Sequence, residues 1–320
     1  APNEIVDCLA QRTRALPTQR SEEWLLDPGL PELCALELRR FLWIAVTPAW
    51  DVPSLGSLHA PPRQDSALDA KAWRPPESAH SVPSPAAQTL VQLCLVTFNV
   101  LSLRGAESAD DADSQAHAAG LCAIGRRHIL KEQFQQIGAH LIGLQETRLQ
   151  QGSHPDQSFL MLSAGASPQG SHGVSLWISL EQPYATRGKH KLFFQRDQAT
   201  VVLAGPRFLA VLLEAEALQL YVVVAHGPYS GDKKSTPEAF WSELEAQLRR
   251  CCTRHFPVVL LADANAALGS QVSEAVGPHQ PEPENLAGSS FHSFLLRTAL
   301  WLPSTYPELH EGPAATYVRN

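Results

Sequence analysis

The sequence has no uncharged apolar run that approaches the ~18 residues a membrane-spanning helix requires, and it does not begin with a basic segment followed by an apolar one. We therefore expect neither a membrane anchor nor a signal segment. Its six cysteines form no Cys-x-x-Cys motif and have no histidine at zinc-ligand spacing. A disulfide or zinc framework is not expected, and a reducing, intracellular compartment is favoured.

Positive charge is not in excess either, because 25 lysines and arginines face 32 aspartates and glutamates, for a net charge of -7. This balance argues against a protein that coats nucleic acid without regard to sequence. It does not exclude a nucleic-acid substrate, because a bound cation reverses the local sign of an acidic site. With 320 residues, of which 44% are hydrophobic, the chain can bury the core of one large domain or two ordinary ones.

Composition divides the chain into three parts. Residues 47–89 hold eight prolines among serine, alanine and charged residues, which is typical of a Pro-rich linker. Residues 1–46 are predicted to be a short helical segment of unknown role, because apolar residues recur at three-to-four spacing between Leu30 and Val46. Residues 90–320 have the alternation of apolar runs and turns that indicates a folded domain.

Within that domain the apolar runs are short and strand-like, and two helices interrupt them. One helix is predicted from Arg126 to Ala139, and a second follows the capping box Ser235-Thr-Pro-Glu238. Strands in series with two separated helices predict an α/β fold, a two-sheet α/β sandwich flanked by helices. Residues 104–120, which are acidic, and residues 269–290 are predicted loops. The predicted strands cover residues 93–100, 141–145, 173–179, 200–203, 208–213, 219–225 and 258–262.

Four of these strands end in polar residues, namely Asn99, Glu146, His226 and Asp263, the last followed by Asn265. A carboxylate fixed at a strand end is the oxygen ligand that Mg²⁺ prefers, and an Asp can also orient or deprotonate a water. An amide can orient a carboxylate or donate to a phosphate oxygen, and an imidazole can protonate a leaving oxygen. Each residue also has a structural interpretation: a surface glutamate, an unremarkable asparagine, a core-capping histidine and a turn-forming Asp-x-Asn.

In order along the chain, Thr97-Phe-Asn99, Leu144-Gln-Glu146-Thr, Ala225-His-Gly-Pro-Tyr-Ser-Gly231 and Leu261-Ala-Asp263-Ala-Asn265 resemble the endonuclease/exonuclease/phosphatase superfamily. The resemblance spans residues 90–320. Within it, Gly269 and then Asn285-Leu-Ala-Gly288 before a Phe-His-Ser-Phe-Leu-Leu run are similar to endonucleases carried by non-LTR retrotransposons.

The resemblance implies that Glu146 holds Mg²⁺, or Mn²⁺ as an alternative, with Asn99 beside it. Asp263 would align or activate the attacking water, Asn265 would hold the scissile phosphate, and His226 would match a second histidine found in pancreatic deoxyribonuclease. The implied reaction is in-line attack of water on a phosphodiester. DNA is the expected partner, with RNA or another phosphoester as alternatives, and a nuclear location follows if the protein serves a retrotransposon.

The resemblance also has a departure. In the family, a Thr-Trp or Thr-Tyr strand, here Thr316-Tyr317, leads to an Arg/Ile-Asp-Tyr strand and then a Ser-Asp-His tripeptide, and this sequence stops first. The chain is thus expected to lack its last strands, to be weak or inactive, and to aggregate through an unpaired sheet edge. The alternative hypothesis is a non-catalytic binding or vestigial module of the same fold. Candidates for phosphate contacts are Arg187, Lys189, Lys191, Lys233 and Lys234.

Overall fold

The computed structural model describes residues 42–47, 89–104, 125–229, 236–279 and 281–309. In these ranges the chain forms strands and three α-helices in the following order: β1 (Leu42–Val46), β2 (Thr89–Val91), β3 (Leu95–Asn99), α1 (Arg126–Gln136), β4 (Leu141–Gln145), β5 (Gly152–Pro155), β6 (Phe159–Ser163), β7 (Val174–Ser179), β8 (Pro183–Arg187), β9 (His190–Phe193), β10 (Ala199–Gly205), β11 (Phe208–Ala215), β12 (Leu218–His226), α2 (Pro237–Cys251), β13 (Val258–Asp263) and α3 (Leu286–Thr298).

Two five-stranded sheets form the body of the domain. The first has the strand order β1-β13-β12-β11-β10, and the second has the order β3-β4-β7-β6-β5. Strands β12 and β13 run parallel, as do β3 and β4, whereas the other pairs are antiparallel. A smaller sheet, β2-β8-β9, lies at the side. The predicted two-sheet α/β sandwich is confirmed.

The core lies in three layers of apolar side chains. The largest fills the space between the two sheets, where β4, β7 and β13 are buried along almost their whole length. A second layer packs α2 and α3 on the outer face of the first sheet, and a third packs α1 on the outer face of the second. Both faces of the central strands are therefore covered, which explains why they read as continuous apolar runs. No helix in the described ranges is long and apolar enough to cross a membrane.

The second layer centres on Trp241 of α2. Its ring is fully buried and lies 4.6 Å from the ring of Phe291 and 4.9 Å from that of Phe294, measured between centroids, so it joins α2 to α3. Pro237 occupies the first turn of this helix as predicted, but the N-cap is Thr236, one residue after the start of the predicted capping box, and its hydroxyl accepts a hydrogen bond from the Ala239 N–H at 3.2 Å.

Replacing Trp241 by alanine is expected to lower the free energy of unfolding by about 3–5 kcal/mol, because a cavity opens where the two helices meet. Chemical denaturation followed by circular dichroism measures this. Phe193→Ala removes a ring that is 40% exposed and should cost far less. Equal losses in the two variants would mean that Trp241 does not join the helices.

An ionic contact also links these helices. The Glu245 carboxylate of α2 accepts from the Nε of Arg297 on α3 at 2.6 Å and from Arg249 at 2.9 Å. The hydrogen bond from Arg297 is the main reason that the pKa of Glu245 lies below its ordinary value, with Arg249 adding to it against an opposing effect of burial. A depressed carboxyl pKa stabilises the fold above the ordinary value, and this stabilisation is lost as the pH falls.

Glu245→Gln is therefore expected to lower stability by up to ~1 kcal/mol at pH 7, because the arginine partners are largely exposed. The difference from wild type should shrink as the pH falls below about 4.3. Urea unfolding at a series of pH values tests this. Glu243→Gln, an exposed position on the same helix, is the matched control and should show no such pH-dependent gap. A constant gap down to pH 3 would contradict an ionic origin.

One prediction was wrong: residues 42–46 form a strand and not the end of a helix. The side chains of Ile44, Ala45 and Val46 are all buried, and β1 pairs antiparallel with β13 along its whole length. A strand that is covered on both faces is apolar at every position. The three-to-four spacing of apolar residues in this segment therefore did not indicate a helix. Residues 42–46 thus belong to the sandwich, and the β13 strand has a neighbour on each side. The remaining residues of the predicted helix and residues 48–88 of the linker lie outside the described residues.

Other differences are local. Helix α1 ends at Gln136, and the predicted loop 269–290 contains the first turn of α3, where the Asn285 side chain caps the helix by accepting from the Gly288 N–H at 2.7 Å. Thr89, assigned to the linker, begins β2. Strands β1, β2, β5, β6, β8 and β9 were not predicted. The acidic residues 105–120, Ser235 and Thr316-Tyr317 lie outside the described residues.

Candidate active site

Two parallel strand pairs bring the predicted polar residues to one edge of the sandwich. Asn99 ends β3 beside Gln145 of β4, and Glu146 follows at once. On the facing sheet, His226 ends β12 directly beside Asp263 of β13. Because parallel neighbours end at the same edge, four side chains from two sheets converge there, across a separation of 164 residues between Asn99 and Asp263.

The side chain of Asn99 joins the two sheets at this edge. Its Nδ2 donates to the Glu146 carboxylate at 2.9 Å and to the Asp263 carboxylate at 2.7 Å, while its Oδ1 accepts from the Leu101 N–H at 3.0 Å. Asn99 therefore turns nitrogen, which does not coordinate a cation, toward the carboxylates. In this structure it positions the two acidic groups, which is one of the roles an amide can have there, and its place beside the cation stays a prediction.

His226 completes the cluster. Its Nε2 lies 3.7 Å from an Oε1 of Glu146, and one ligand atom each from Glu146, His226 and Asp263 lie within 4.8 Å of one another. Asp263 is fully buried and His226 nearly so, whereas the Glu146 side chain is 19% exposed and forms the open side of the cluster.

This donor set fits a divalent cation. Two carboxylates lie on the same amide nitrogen in a largely desolvated place, where a nearby cation would stabilise their charge. Carboxylate oxygens are the ligands of Mg²⁺ and Mn²⁺, and an imidazole nitrogen is accepted by Mn²⁺ and Zn²⁺ more readily than by Mg²⁺. Glu146 and Asp263 would hold the ion, and His226 stands close enough to join them.

The turns after β12 and β13 are fixed to each other. The Gly227 N–H donates to the Asp263 carbonyl at 2.7 Å, and the Asn265 Nδ2 donates to the Gly227 carbonyl at 2.9 Å. A Cβ on Gly227 would lie 2.8 Å from the Ala264 carbonyl oxygen, so only glycine permits this approach. The Asn265 amide thus has one N–H committed to the backbone and a second for another acceptor.

Backbone strain concentrates around the cluster. Among the residues that the structure describes, five non-glycine residues in the loops that carry or adjoin the cluster have positive φ angles, and a sixth, Ala299, caps α3. Such conformations cost about 1–3 kcal/mol each and persist where the surrounding structure holds them in place. Because these strained residues lie close to the cluster, this edge of the fold costs stability, which is typical of a functional site. The five are Leu101, Glu146, Arg148, His172 and Asn265.

Sequence reasoning missed His172. Its ring lies 5.7 Å from the ring of His226 in an edge-to-face arrangement, so a second imidazole adjoins the cluster. No spacing in the sequence indicated this, because His172 precedes β7 and meets His226 only through the packing of the two sheets.

Three of the basic residues predicted to contact phosphate lie on the small sheet: Arg187, Lys189 and Lys191. Arg187 donates to Glu216 at 2.5 Å and to Thr89 at 2.9 Å, and therefore stabilises the small sheet. Lys189 and Lys191 are exposed on the β8–β9 hairpin of that sheet. Lys233 and Lys234 lie outside the described residues.

Fold and site together define a class of protein. It is a four-layer α/β sandwich with a cluster of carboxylates and a histidine at its strand ends. The chain matches the Endonuclease/Exonuclease/phosphatase family over residues 96–315, more than half of its length, and it belongs to that family. Members of this family are typically metal-dependent phosphodiesterases or nucleases. No curated protein matches the chain.

Solved structures show a low likeness. The endonuclease domain of TRAS1, a telomere-specific non-LTR retrotransposon, has 14% identity and a TM-score of 0.33, with 52% of this chain and 62% of that domain covered. For the human Nocturnin catalytic domain the identity is 12% and the TM-score 0.33, over 57% and 69%. For TDP2 from C. elegans they are 11% and 0.32, over 53% and 47%. Likeness at this level carries no information about substrate.

Proposed function

We propose that this chain carries a site for the hydrolysis of phosphodiesters with a divalent cation, Mg²⁺ or Mn²⁺, that its activity by itself is weak, and that its substrate is DNA. The observation that carries the proposal is the pair of carboxylates, Glu146 from one sheet and Asp263 from the other, held together by the Asn99 amide beside His226. The choice of DNA is supported by the sequence resemblance around Asn285-Leu-Ala-Gly288. A nuclear location is part of this proposal.

The residues divide the work as follows. Glu146 and Asp263 bind the cation, which neutralises charge that builds on the phosphoryl oxygens. The Oδ1 of Asp263, which accepts from the Asn265 backbone N–H at 3.3 Å, also accepts a hydrogen bond from the attacking water. Asp263 thereby orients the nucleophile. The remaining N–H of the Asn265 amide donates to a non-bridging phosphate oxygen.

His226 is assigned to proton transfer. Its imidazole is nearly buried at the strand end, and its Nε2 lies 3.7 Å from the Glu146 carboxylate. From there a protonated His226 would give its proton to the leaving oxygen of a phosphodiester bound at the cation. A general acid placed in this way contributes roughly 100- to 10,000-fold to the rate. His226→Gln should lower cleavage in Mg²⁺ by that amount without preventing Mn²⁺ binding. Loss of Mn²⁺ binding in this variant would make His226 a ligand instead.

The test is a supercoiled-plasmid nicking assay, which detects one cut per molecule and so registers weak activity. Nicking should require Mg²⁺ or Mn²⁺ and stop with EDTA. Isothermal titration with Mn²⁺ measures the cation site independently of catalysis. Binding of Mn²⁺ without cleavage of plasmid, RNA or bis(p-nitrophenyl) phosphate would instead support the non-catalytic module.

A further inference from the structure

The ring of His172 adjoins the cluster of Glu146, His226 and Asp263. It lies 5.7 Å from the ring of His226, measured between centroids, and the two ring planes meet at 64°. This is an edge-to-face contact, one of the arrangements that aromatic rings prefer at such distances. Because the His226 side chain is nearly buried, the ring of His172 forms one wall of the space in which that imidazole sits.

The backbone of His172 is held from the side of Glu146. Its carbonyl accepts a hydrogen bond from the Arg148 N–H at 2.8 Å, and the carbonyl of Gly173 accepts one from the Thr147 N–H at 2.9 Å. These two hydrogen bonds fix the residues directly after Glu146 to the loop that carries His172.

The same loop is held from the side of His226. The Gly173 N–H donates to the Pro206 carbonyl at 2.8 Å, and the carbonyl of the next residue, Arg207, accepts from the His226 N–H at 2.8 Å. Pro206 and Arg207 lie between β10 and β11 in the first sheet, whereas His172 precedes β7 in the second. The loop therefore connects strand ends of both sheets, and the ring of His172 stands at their junction.

This loop has a strained backbone. His172 has a φ of 65°, in the left-handed region that residues other than glycine rarely adopt. Gly173 follows with a φ of 86°, and a Cβ there would lie 3.0 Å from the Arg148 backbone nitrogen and from the Thr147 Oγ1. Asparagine tolerates the same conformation as His172, so the backbone by itself does not require an imidazole at this position.

We propose that His172 is the positioning residue of this site, because its ring holds the imidazole of His226 with Nε2 toward the Glu146 carboxylate, 3.7 Å away. The inference rests on the proposed function, which assigns proton transfer to His226, and it adds a residue that acts only through His226. A misplacement of about 1 Å in a reacting group can cost about 100-fold in rate. Loss of the ring should therefore slow proton transfer and leave the cation site unchanged.

The experiment separates the ring from the backbone with two variants. His172→Asn removes the ring but keeps a residue that tolerates the left-handed conformation, whereas His172→Phe keeps a ring. His190→Asn makes the first change at an exposed position of β9 and is the control. In plasmid nicking with Mg²⁺, His172→Asn should lower kcat by about 10- to 100-fold with KM unchanged. His172→Phe should stay within about threefold of wild type, and His190→Asn should equal it.

Two comparisons test whether His172 acts through His226. Bis(p-nitrophenyl) phosphate releases a stable anion that needs no proton, so its hydrolysis should be nearly unchanged in His172→Asn. In a His226→Gln background, the addition of His172→Asn should lower nicking no further. Equal losses with both substrates, or a full further loss in the double variant, would overturn the positioning role.

NMR spectra of the histidine side chains, recorded in EDTA, report on the ring without catalysis. The His226 signals, assigned by their absence in His226→Gln, should be single and sharp in wild type and in His172→Phe. In His172→Asn they should be broadened or split, because the imidazole takes several orientations. Unchanged signals in His172→Asn would contradict the proposal. If wild type cuts no substrate while the signals change in this way, the positioning role stands and the proposed function fails.

Discussion

Glu146→Gln is expected to lower metal-dependent cleavage by about 100- to 1,000-fold, which corresponds to several kcal/mol of lost stabilisation of the transition state. The substitution removes one negative charge from the cluster while keeping the size of the side chain. The amide oxygen of the new residue can still accept the hydrogen bond from Asn99 Nδ2, now at 2.9 Å from the carboxylate. The fold should therefore persist while the cation is held by Asp263 alone.

Plasmid nicking and Mn²⁺ titration measure this result together. Glu243→Gln makes the same chemical change on the exposed face of α2 and should leave both readouts unchanged. Weaker Mn²⁺ binding with parallel loss of nicking would assign Glu146 to the cation. Full nicking by Glu146→Gln would place the cation elsewhere, whereas lost nicking with unchanged Mn²⁺ binding would assign the carboxylate to the substrate instead.

The strands that carry these residues were predictable because of where they lie. Strand β4 was predicted with its observed bounds, and β13 and β12 differ from prediction by a residue or two at their ends. Each is covered on both faces, so its sequence is a short continuous apolar run, and each ends where a polar side chain leaves the core. The same contrast between buried run and polar end located Glu146 and Asp263.

The elements that were missed lack such local signals. Strand β1 is defined by its pairing with β13, more than two hundred residues away, as in the register Val46↔Val259. The first turns of helix α3 contain Gly288 and two serines, which are weak helix formers, and its stability comes from Phe291 and Phe294 packing on α2. Packing between residues far apart in the sequence stabilises both β1 and α3, and a short stretch of sequence does not show such packing.

The distances within the site could not be predicted from the sequence either. Asn99 lies 2.9 Å from the Glu146 carboxylate, but which of its amide atoms faces the carboxylates follows from the Leu101 N–H that holds its oxygen. His172 reaches His226 only because β7 and β12 lie in facing sheets. Motifs thus indicated which residues meet, whereas backbone geometry decides how they meet.

The site also depends on the distance between the two sheets, and Gly143 sets this distance. This glycine lies in the middle of β4, where a Cβ would stand 2.6 Å from the Leu261 Cβ and 3.3 Å from a methyl of Val224. Nearby, the Gln145 Nε2 donates across the same gap to the Leu261 carbonyl at 3.2 Å. The sheets therefore approach more closely here than any other side chain would permit.

Gly143→Ala is expected to lower the free energy of unfolding by about 1–3 kcal/mol, because the added methyl overpacks the core and pushes the sheets apart. The change should also weaken Mn²⁺ binding, since Glu146 follows Gly143 on one sheet and Asp263 follows Leu261 on the other. Denaturant unfolding and Mn²⁺ titration measure the two effects separately.

Ala215→Val tests whether the second effect is specific. This substitution overpacks the same core layer at the end of β11, where Ala215 pairs with Leu218. Leu218 begins β12, and His226 lies at the other end of that strand. A similar loss of stability with unchanged Mn²⁺ affinity is expected there, because the strand ends that bear the carboxylates do not move. If Gly143→Ala also kept full Mn²⁺ affinity, the carboxylates would owe their spacing to Asn99 and the turns alone, and not to the close approach of the sheets beneath them.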